Sequence, residues 1–145
     1  MSPLERSLIE RKLAQIAQRL AHLERYFLEG WEAYRTNFER RKAAEKLLQE
    51  RIEAAIDVNS HVLVELGKGA PSDYYQSFTE LSRHGWLPDE LSAALAPAAG
   101  LRNRLVHQYA AIDDRKTFEA IGSALGLFPR YVSGLRKLLD EAPER

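Results

Sequence analysis

The sequence predicts an all-α fold, an antiparallel bundle of four to six helices. Apolar residues recur at steps of three and four along its long segments, and no useful stretch shows the strict alternation of a half-buried strand. Glycine and proline separate these segments and leave only short connections. Because short connections join antiparallel neighbours, we expect the helices to run up and down around one core.

Two long apolar stripes define the first half of the chain. Ser2 followed by Pro3 is typical of a helix start. The first stripe comprises Ile9, Leu13, Ile16, Leu20, Leu23 and Phe27. After Gly30 the chain is predicted to be helical again from Trp31. The second stripe comprises Leu48, Ile52, Ala55, Asn59, Val62 and Leu66. Beside it, Glu53, Asp57 and His61 are spaced by four and form a polar stripe.

Shorter helices are predicted in the middle of the chain. One covers roughly Asp73 to Arg83, and Asp89 is placed to cap another that Pro97 limits. Pro97 fits the start of a further helix that runs to about Tyr109.

The last helical region is predicted to begin at a cap formed by Asp113 or Asp114 and to end near Glu141. Gly126 and Pro129 should bend or split it. We expect one domain over residues 1–141, with residues 142–145 as a tail.

Composition limits the class of protein. Lys and Arg number 21, as do Asp and Glu, so the net charge is +0, which argues against a general nucleic-acid coat protein. The absence of cysteine excludes disulfides and thiolate catalysis. No signal-peptide core or membrane-length apolar run is found, so we expect a soluble, cytoplasmic protein without a membrane partner.

One segment concentrates residues suited to chemistry on a phosphodiester. In Arg102-Asn103-Arg104-Leu105-Val106-His107-Gln108-Tyr109, Arg102 can clamp a phosphate with two hydrogen bonds. His107 can transfer a proton near neutral pH. On an ideal helix Arg102 and Tyr109 lie about 20° apart, and Asn103 shares an adjacent face with His107. The same spacing also fits a surface ion pair at Arg102 and a helix-end cap at His107.

RNA carries its own nucleophile, so a protein that cleaves it needs a base, an acid and cations around the phosphate. No His, Asp and Glu cluster has metal-ligand spacing, so we expect neither a metal nor a cofactor. Arg102 supplies a cation, but one imidazole does not comfortably serve as both acid and base. A two-fold homodimer would bring two copies of His107 and of Arg102 into one cleft.

The motif resembles the signature of HepT-like proteins in the HEPN superfamily: Arg, four to six residues, His, any residue, Tyr, usually with Asn after the Arg. Further similarity lies in residues 53–61, in Tyr74-Tyr75-Gln76-Ser77-Phe78 and in the turn Gly85-Trp86-Leu87-Pro88, and it covers roughly Ala44 to Asp114. The resemblance implies an all-helical, dimeric, metal-independent endoribonuclease toxin of a type VII-like toxin–antitoxin pair.

The resemblance also assigns roles to residues and implies a partner. Arg102 and His107 would be catalytic, with Asn103 supporting them. Tyr109 would receive AMP units from ATP, transferred by a minimal nucleotidyltransferase antitoxin. Added AMP would place negative charge and bulk near Arg102 and so block RNA phosphate. RNA is the expected substrate, and no DNA partner is expected.

Several assignments stay open at this point. Asp57 is a candidate for orienting Arg102 or His107 across the bundle, and His61 is a candidate partner for Asp57. The Arg40-Arg41-Lys42 run fits a solvated helix face or an RNA-steering surface. Two other functions compete with the ribonuclease: a helical binding module that docks the nucleotidyltransferase, and a pair whose active toxin is the nucleotidyltransferase, with Tyr109 only its substrate.

Overall fold

The computed structural model describes residues 1–142, apart from the side chains of Leu4 and Tyr109. Within that range the chain forms α-helices and a short 3-10 turn, with no strand. The helices are α1 (Pro3–Leu28), α2 (Trp31–Thr36), α3 (Phe38–Glu65), α4 (Tyr74–Arg83), α5 (Asp89–Leu95), α6 (Ala98–His107) and α7 (Asp114–Glu141). Apart from α2, which has 6 residues, the helices agree with the predicted four to six, and the all-α prediction is confirmed.

The three long helices α1, α3 and α7 pack around the core. Arg6 near the start of α1 donates to the Ala142 carbonyl just beyond the end of α7 at 2.9 Å. The ring of Phe27 near the end of α1 stacks on Phe118 near the start of α7, with centroids 5.0 Å apart. These contacts at opposite ends show that α1 and α7 are antiparallel.

Both predicted apolar stripes face this core. The buried side chains of the first are Ile9, Leu13, Ile16, Leu20 and Leu23. Those of the second are Leu48, Ile52, Ala55, Asn59 and Val62. Each large aliphatic side chain buried in this way stabilises the fold by about 1.5–3 kcal/mol relative to an exposed one.

The turn after α1 is more broken than the sequence indicated. The helix that begins at Trp31 ends at Thr36, and α3 begins after Asn37. The Asn37 side chain caps α3 by accepting a hydrogen bond from the Arg40 N–H at 3.0 Å. The rings of Trp31 and Tyr34 lie 5.7 and 5.2 Å from that of Phe118, and this packing fixes α2 against α7.

Helix α7 is not split at Pro129, contrary to one of the two predicted outcomes. It continues from Asp114 to Glu141, with Pro129 inside it. Phe128 and Tyr131 on either side of the proline are buried, which holds both halves of the helix on the core. Its start at the Asp113 cap is confirmed, because that carboxylate accepts from the Lys116 N–H at 3.0 Å. Residues 143–145 of the predicted tail lie outside the described residues.

A buried polar network joins α3, α4 and α7. Tyr131 Oη lies 2.5 Å from Asn59 Oδ1 and 3.0 Å from the Ala55 carbonyl, so its single proton is donated to one of these at a time. Asn59 Nδ2 donates to Ser77 Oγ at 3.2 Å, and Ser77 Oγ donates to the Tyr74 carbonyl at 2.7 Å. The network therefore fixes the start of α4 relative to α3.

Candidate functional site

The motif helix α6 ends earlier than expected. His107 is its last residue, and Gln108 has φ −131° and ψ 33°, outside helical geometry. Tyr109 then begins a separate 3-10 turn, Tyr109–Ala111. The ideal-helix relation between Arg102 and Tyr109 therefore does not hold, because it assumed an unbroken helix. The Tyr109 side chain lies outside the described residues.

Arg102 is held across the bundle by Glu53 of α3. Its Nε and Nη2 donate to Glu53 Oε2 at 3.1 and 2.8 Å. The two side chains are 18% and 34% exposed, so the ion pair is partly sheltered from water. Gln49, one turn earlier on α3, donates to Glu53 Oε1 at 3.1 Å. Glu53 is thus fixed from one side by Gln49 while it orients the guanidinium on the other.

The remaining donors of Arg102 decide what it can bind. A guanidinium has five N–H groups. Two are directed to Glu53, and Nη1 donates a third to Asn103 Oδ1 at 3.3 Å. Among the described side chains, two N–H groups are left without a partner. A bidentate contact with a phosphate uses two donors, so the number of unused donors on the fixed Arg102 matches that requirement.

The environment keeps Glu53 ionised. Partial burial acts to raise its pKa, but hydrogen bonds from Arg102 and Gln49 and the nearby charges of Arg102 and Lys46 outweigh burial and lower the pKa below its usual value. Glu53 is therefore a carboxylate at neutral pH and acts as an acceptor, which suits a residue that positions Arg102.

His107 is exposed at the C-terminal end of α6. Its imidazole makes no hydrogen bond to any side chain that the structure describes, and none to Arg102. The two residues are five positions apart, which places them about 140° apart around a helix of this geometry. Within the single chain, Arg102 therefore turns toward α3 while His107 is exposed to solvent. Asn103 is exposed between them.

The polar stripe on α3 divides into separate roles. Asp57 is 63% exposed and pairs with Lys12 of α1 at 3.4 Å rather than with Arg102 or His107. His61 is half-buried and makes no hydrogen bond to Asp57. The acidic residue of α3 that contacts the motif is Glu53, which the sequence placed on the stripe without assigning it to the site.

A second residue that the sequence did not assign to the site is Tyr74. The Arg102 guanidinium carbon lies 5.3 Å from the centroid of the Tyr74 ring, within the range of a cation–π contact. Tyr74 is the first residue of α4 and is 43% exposed. An aromatic residue at a helix start gives no sequence signal of such a contact, which exists only because α4 and α6 are neighbours.

The basic run at the start of α3 is engaged in ion pairs. Arg40 pairs with Glu29, Arg41 lies 3.5 Å from Asp114, and Lys42 lies 3.2 Å from Glu45. Because each cation already faces a carboxylate, this surface offers little free positive charge for steering RNA.

The described residues form neither a metal-binding cluster nor a membrane-spanning helix. No group of three or more His, Asp or Glu side chains there is arranged to hold a metal ion. No helix among them is long and apolar enough to cross a membrane.

Comparison with known proteins identifies the family. A family model described as ribonuclease HepT-like matches residues 6–135. The chain belongs to the HepT-like ribonuclease family. The tRNA nuclease HepT of Aphanizomenon flos-aquae is 38% identical over 139 residues, covering 96% of this chain and 95% of that protein. The mRNA nuclease HepT of Shewanella oneidensis is 28% identical over 102 residues, covering 70% and 76%.

Solved structures confirm the HEPN fold. A tri-AMPylated HEPN toxin of Shewanella oneidensis in complex with MNT antitoxin superposes with a TM-score of 0.81 at 24% identity, covering 89% of this chain and 96% of that one. The cytosolic protein YutE of Bacillus subtilis, whose function is unknown, gives a TM-score of 0.81 at 18% identity, covering 97% and 95%. Both structures thus share this helical arrangement with the chain at low sequence identity.

Proposed function

We propose that this HepT-like protein is a metal-independent endoribonuclease and the toxin of a type VII-like toxin–antitoxin pair. Family membership and relatives named as nucleases support the activity. The observation that carries the proposal is the arrangement of Arg102 and His107 on α6. Glu53 fixes Arg102, two of whose N–H groups have no partner among the described residues, and His107 is exposed at the end of the same helix.

The proposed reaction uses the 2′-OH of RNA as the nucleophile. A His107 imidazole removes the 2′-OH proton as the oxygen attacks the adjacent phosphorus. Arg102 binds the phosphate oxygens and stabilises the charge that develops on them. The bond from phosphorus to the 5′-oxygen breaks, and a second, protonated imidazole gives that oxygen its proton. The products are a 2′,3′-cyclic phosphate and a 5′-hydroxyl.

The second imidazole is proposed to come from another copy of the chain. A homodimer with the ends of both α6 helices in one cleft would supply the acid and the base that a single exposed His107 does not. Mixed dimers with one His107→Ala protomer test this arrangement. They should retain far less than half of the wild-type activity, whereas two independent sites would retain half.

Transfer RNA is the proposed substrate class, because the relative that covers nearly the whole chain at 38% identity is named a tRNA nuclease. Purified protein should fragment unfractionated tRNA faster than a messenger RNA at the same nucleotide concentration. Preferential cleavage of the messenger RNA would reject this substrate class. If neither RNA is cleaved but a nucleotidyltransferase binds tightly, the chain is a binding module instead.

Silencing is proposed to occur by AMP addition to Tyr109. An AMP group brings a negative phosphodiester next to the motif, where it would compete with RNA for Arg102. Incubation with the partner nucleotidyltransferase and ATP should raise the protein's mass in AMP increments and stop RNA cleavage. Tyr109→Phe should abolish the mass gain, and an unchanged gain in that variant would refute the assignment.

A further inference from the structure

An exposed aromatic ring lies directly beside the phosphate-binding arginine. Tyr74 keeps 43% of its surface exposed while its ring centroid lies 5.3 Å from the Arg102 guanidinium carbon. The guanidinium therefore covers part of the ring and leaves the remainder to solvent. A large aromatic surface left open next to a phosphate clamp is the arrangement by which proteins hold single-stranded nucleic acid.

The backbone that carries this ring is fixed from two directions. The Asp73 side chain caps α4 by accepting from the Gln76 N–H at 2.7 Å. The Tyr74 carbonyl accepts from Ser77 Oγ at 2.7 Å, and Ser77 is tied to the buried Asn59 of α3. The Tyr74 backbone thus has a set position relative to α3, and the Arg102 guanidinium lies over the ring; such preorganisation lowers the cost of ordering a side chain on binding.

We propose that Tyr74 stacks on an unpaired base of the RNA nucleotide whose phosphate Arg102 binds. This inference rests on the proposed ribonuclease activity and adds a base-binding subsite to it. Every base offers a π face, so the subsite selects unpaired nucleotides rather than a sequence. Loops and ends of tRNA provide such bases, whereas stacked bases within a duplex are not available to the ring.

Steady-state cleavage of tRNA by three variants tests the subsite. Tyr74→Ala should raise KM about tenfold, the effect of losing one base–aromatic stack, and change kcat little. Tyr74→Phe should restore the wild-type KM, because it keeps the ring. Tyr75→Ala is the matched control: Tyr75 follows on the same helix and is 52% exposed, but it makes no cation–π contact with Arg102 among the described residues, so its KM should be unchanged.

Removing the base provides the complementary test. An RNA fragment spanning a mapped cleavage site is made with one abasic nucleotide at each position in turn, and binding is measured in the non-cleaving His107→Ala background. At one position, the loss of the base should weaken RNA binding to the His107→Ala protein that keeps Tyr74. The same loss should not weaken binding to the double variant that also carries Tyr74→Ala. If removing the base and removing the Tyr74 ring weaken binding additively at every position, the stacking proposal is overturned.

The remaining outcomes separate this inference from the proposed function. If the wild-type protein cleaves RNA and Tyr74→Ala has an unaltered KM, the subsite is rejected and the proposed ribonuclease activity stands. If the wild-type protein does not cleave RNA, the proposed ribonuclease activity itself is rejected. A Tyr74→Ala variant that lowers kcat alone shows that the ring only positions Arg102. If light scattering shows that Tyr74→Ala breaks a wild-type dimer, the ring contacts a second copy instead, and the subsite is rejected.

Discussion

Two polar clusters connect helices α3 and α4, and they differ in how completely they are satisfied. The buried cluster is Asn59, Ser77 and Tyr131, all 0% exposed. Each of its side-chain polar atoms has a hydrogen-bond partner. The surface cluster is Glu53, Arg102 and Tyr74. Within the part of the chain that the structure describes, its guanidinium keeps two donors without a partner, and its ring keeps exposed surface.

The two clusters therefore differ in what they can do: one stabilises the fold, and the other has groups available to a ligand. A buried polar group must be fully paired, because an unpaired one costs about 1–3 kcal/mol. Such a cluster has nothing left to offer a ligand. At the surface, water satisfies unused donors until a ligand replaces it. The buried cluster therefore sets where α4 lies, and the surface cluster uses that placement to present Arg102 and Tyr74.

The largest effect is expected for His107→Ala, which removes the proposed acid and base. RNA cleavage should fall by about 10²–10⁴-fold, while the melting temperature should change little because the imidazole is exposed. His22→Ala on α1 is the matched control, since His22 is also exposed and lies outside the motif. Equal losses in both variants would show that activity does not depend on the motif imidazole.

Asn59→Leu should break the buried cluster while it leaves the surface cluster chemically intact. The variant loses hydrogen bonds with Tyr131 and Ser77, about 1 kcal/mol each, so the free energy of unfolding should fall by about 2 kcal/mol. Urea denaturation measures this loss. Because the Asn59–Ser77 contact sets where α4 lies, the KM for RNA should rise toward that of Tyr74→Ala, while kcat per folded molecule should stay near the wild-type value. An unchanged free energy of unfolding would mean that the buried cluster does not stabilise the fold.

Glu53→Gln tests the positioning of Arg102 with a smaller change. The neutral amide weakens the contact with the guanidinium, and cleavage should fall about tenfold because charge-assisted hydrogen bonds exceed neutral ones. Asp57→Asn is the matched control, one turn later on α3, where the carboxylate is exposed and faces Lys12. A Glu53→Gln variant as active as Asp57→Asn would remove Glu53 from the site.

The smallest expected effect is the pH dependence that Glu53 adds to stability. Because the pKa of Glu53 is lowered in the fold, its stabilisation is complete above the pKa of the unfolded chain, about pH 4, and is lost as pH falls through the lower folded pKa. The melting temperature of the wild type should therefore exceed that of Glu53→Gln at pH 7. The gap should close in acid, and a gap that widens there would contradict the sign of the shift.

The sequence predicted what depends on local pattern. Helical spacing placed Ile9 and Leu13 in the core, and the helix starts at Ser2 and Asp113 were correctly located. The predicted cap at Asp89 was wrong, because Asp89 is the first residue of α5 and its side chain makes no capping hydrogen bond. The motif also led to the family, and the roles of Arg102, Asn103, His107 and Tyr109 remain predictions. Their chemistry follows from residue type, which a sequence displays directly.

Contacts between helices could not be predicted in the same way. Glu53 and Asp57 share one face of α3, and only the path of α6 across that face decides which carboxylate meets Arg102. The end of α6 at His107 was also missed, because no glycine or proline marks it in the sequence. Tyr74 lies near Arg102 through the packing of α4, set by the buried Asn59–Ser77 contact.

Arg102 and His107 are proposed to cleave RNA through its own 2′-OH without a metal ion. Incubation of unfractionated tRNA with the purified protein in excess EDTA tests this proposal most directly, with the chemistry of the new ends as the readout. We expect undiminished cleavage and fragments that carry 2′,3′-cyclic phosphates and 5′-hydroxyls. Cleavage that stops in EDTA and returns with Mg²⁺, or that leaves 5′-phosphates, would contradict the proposal.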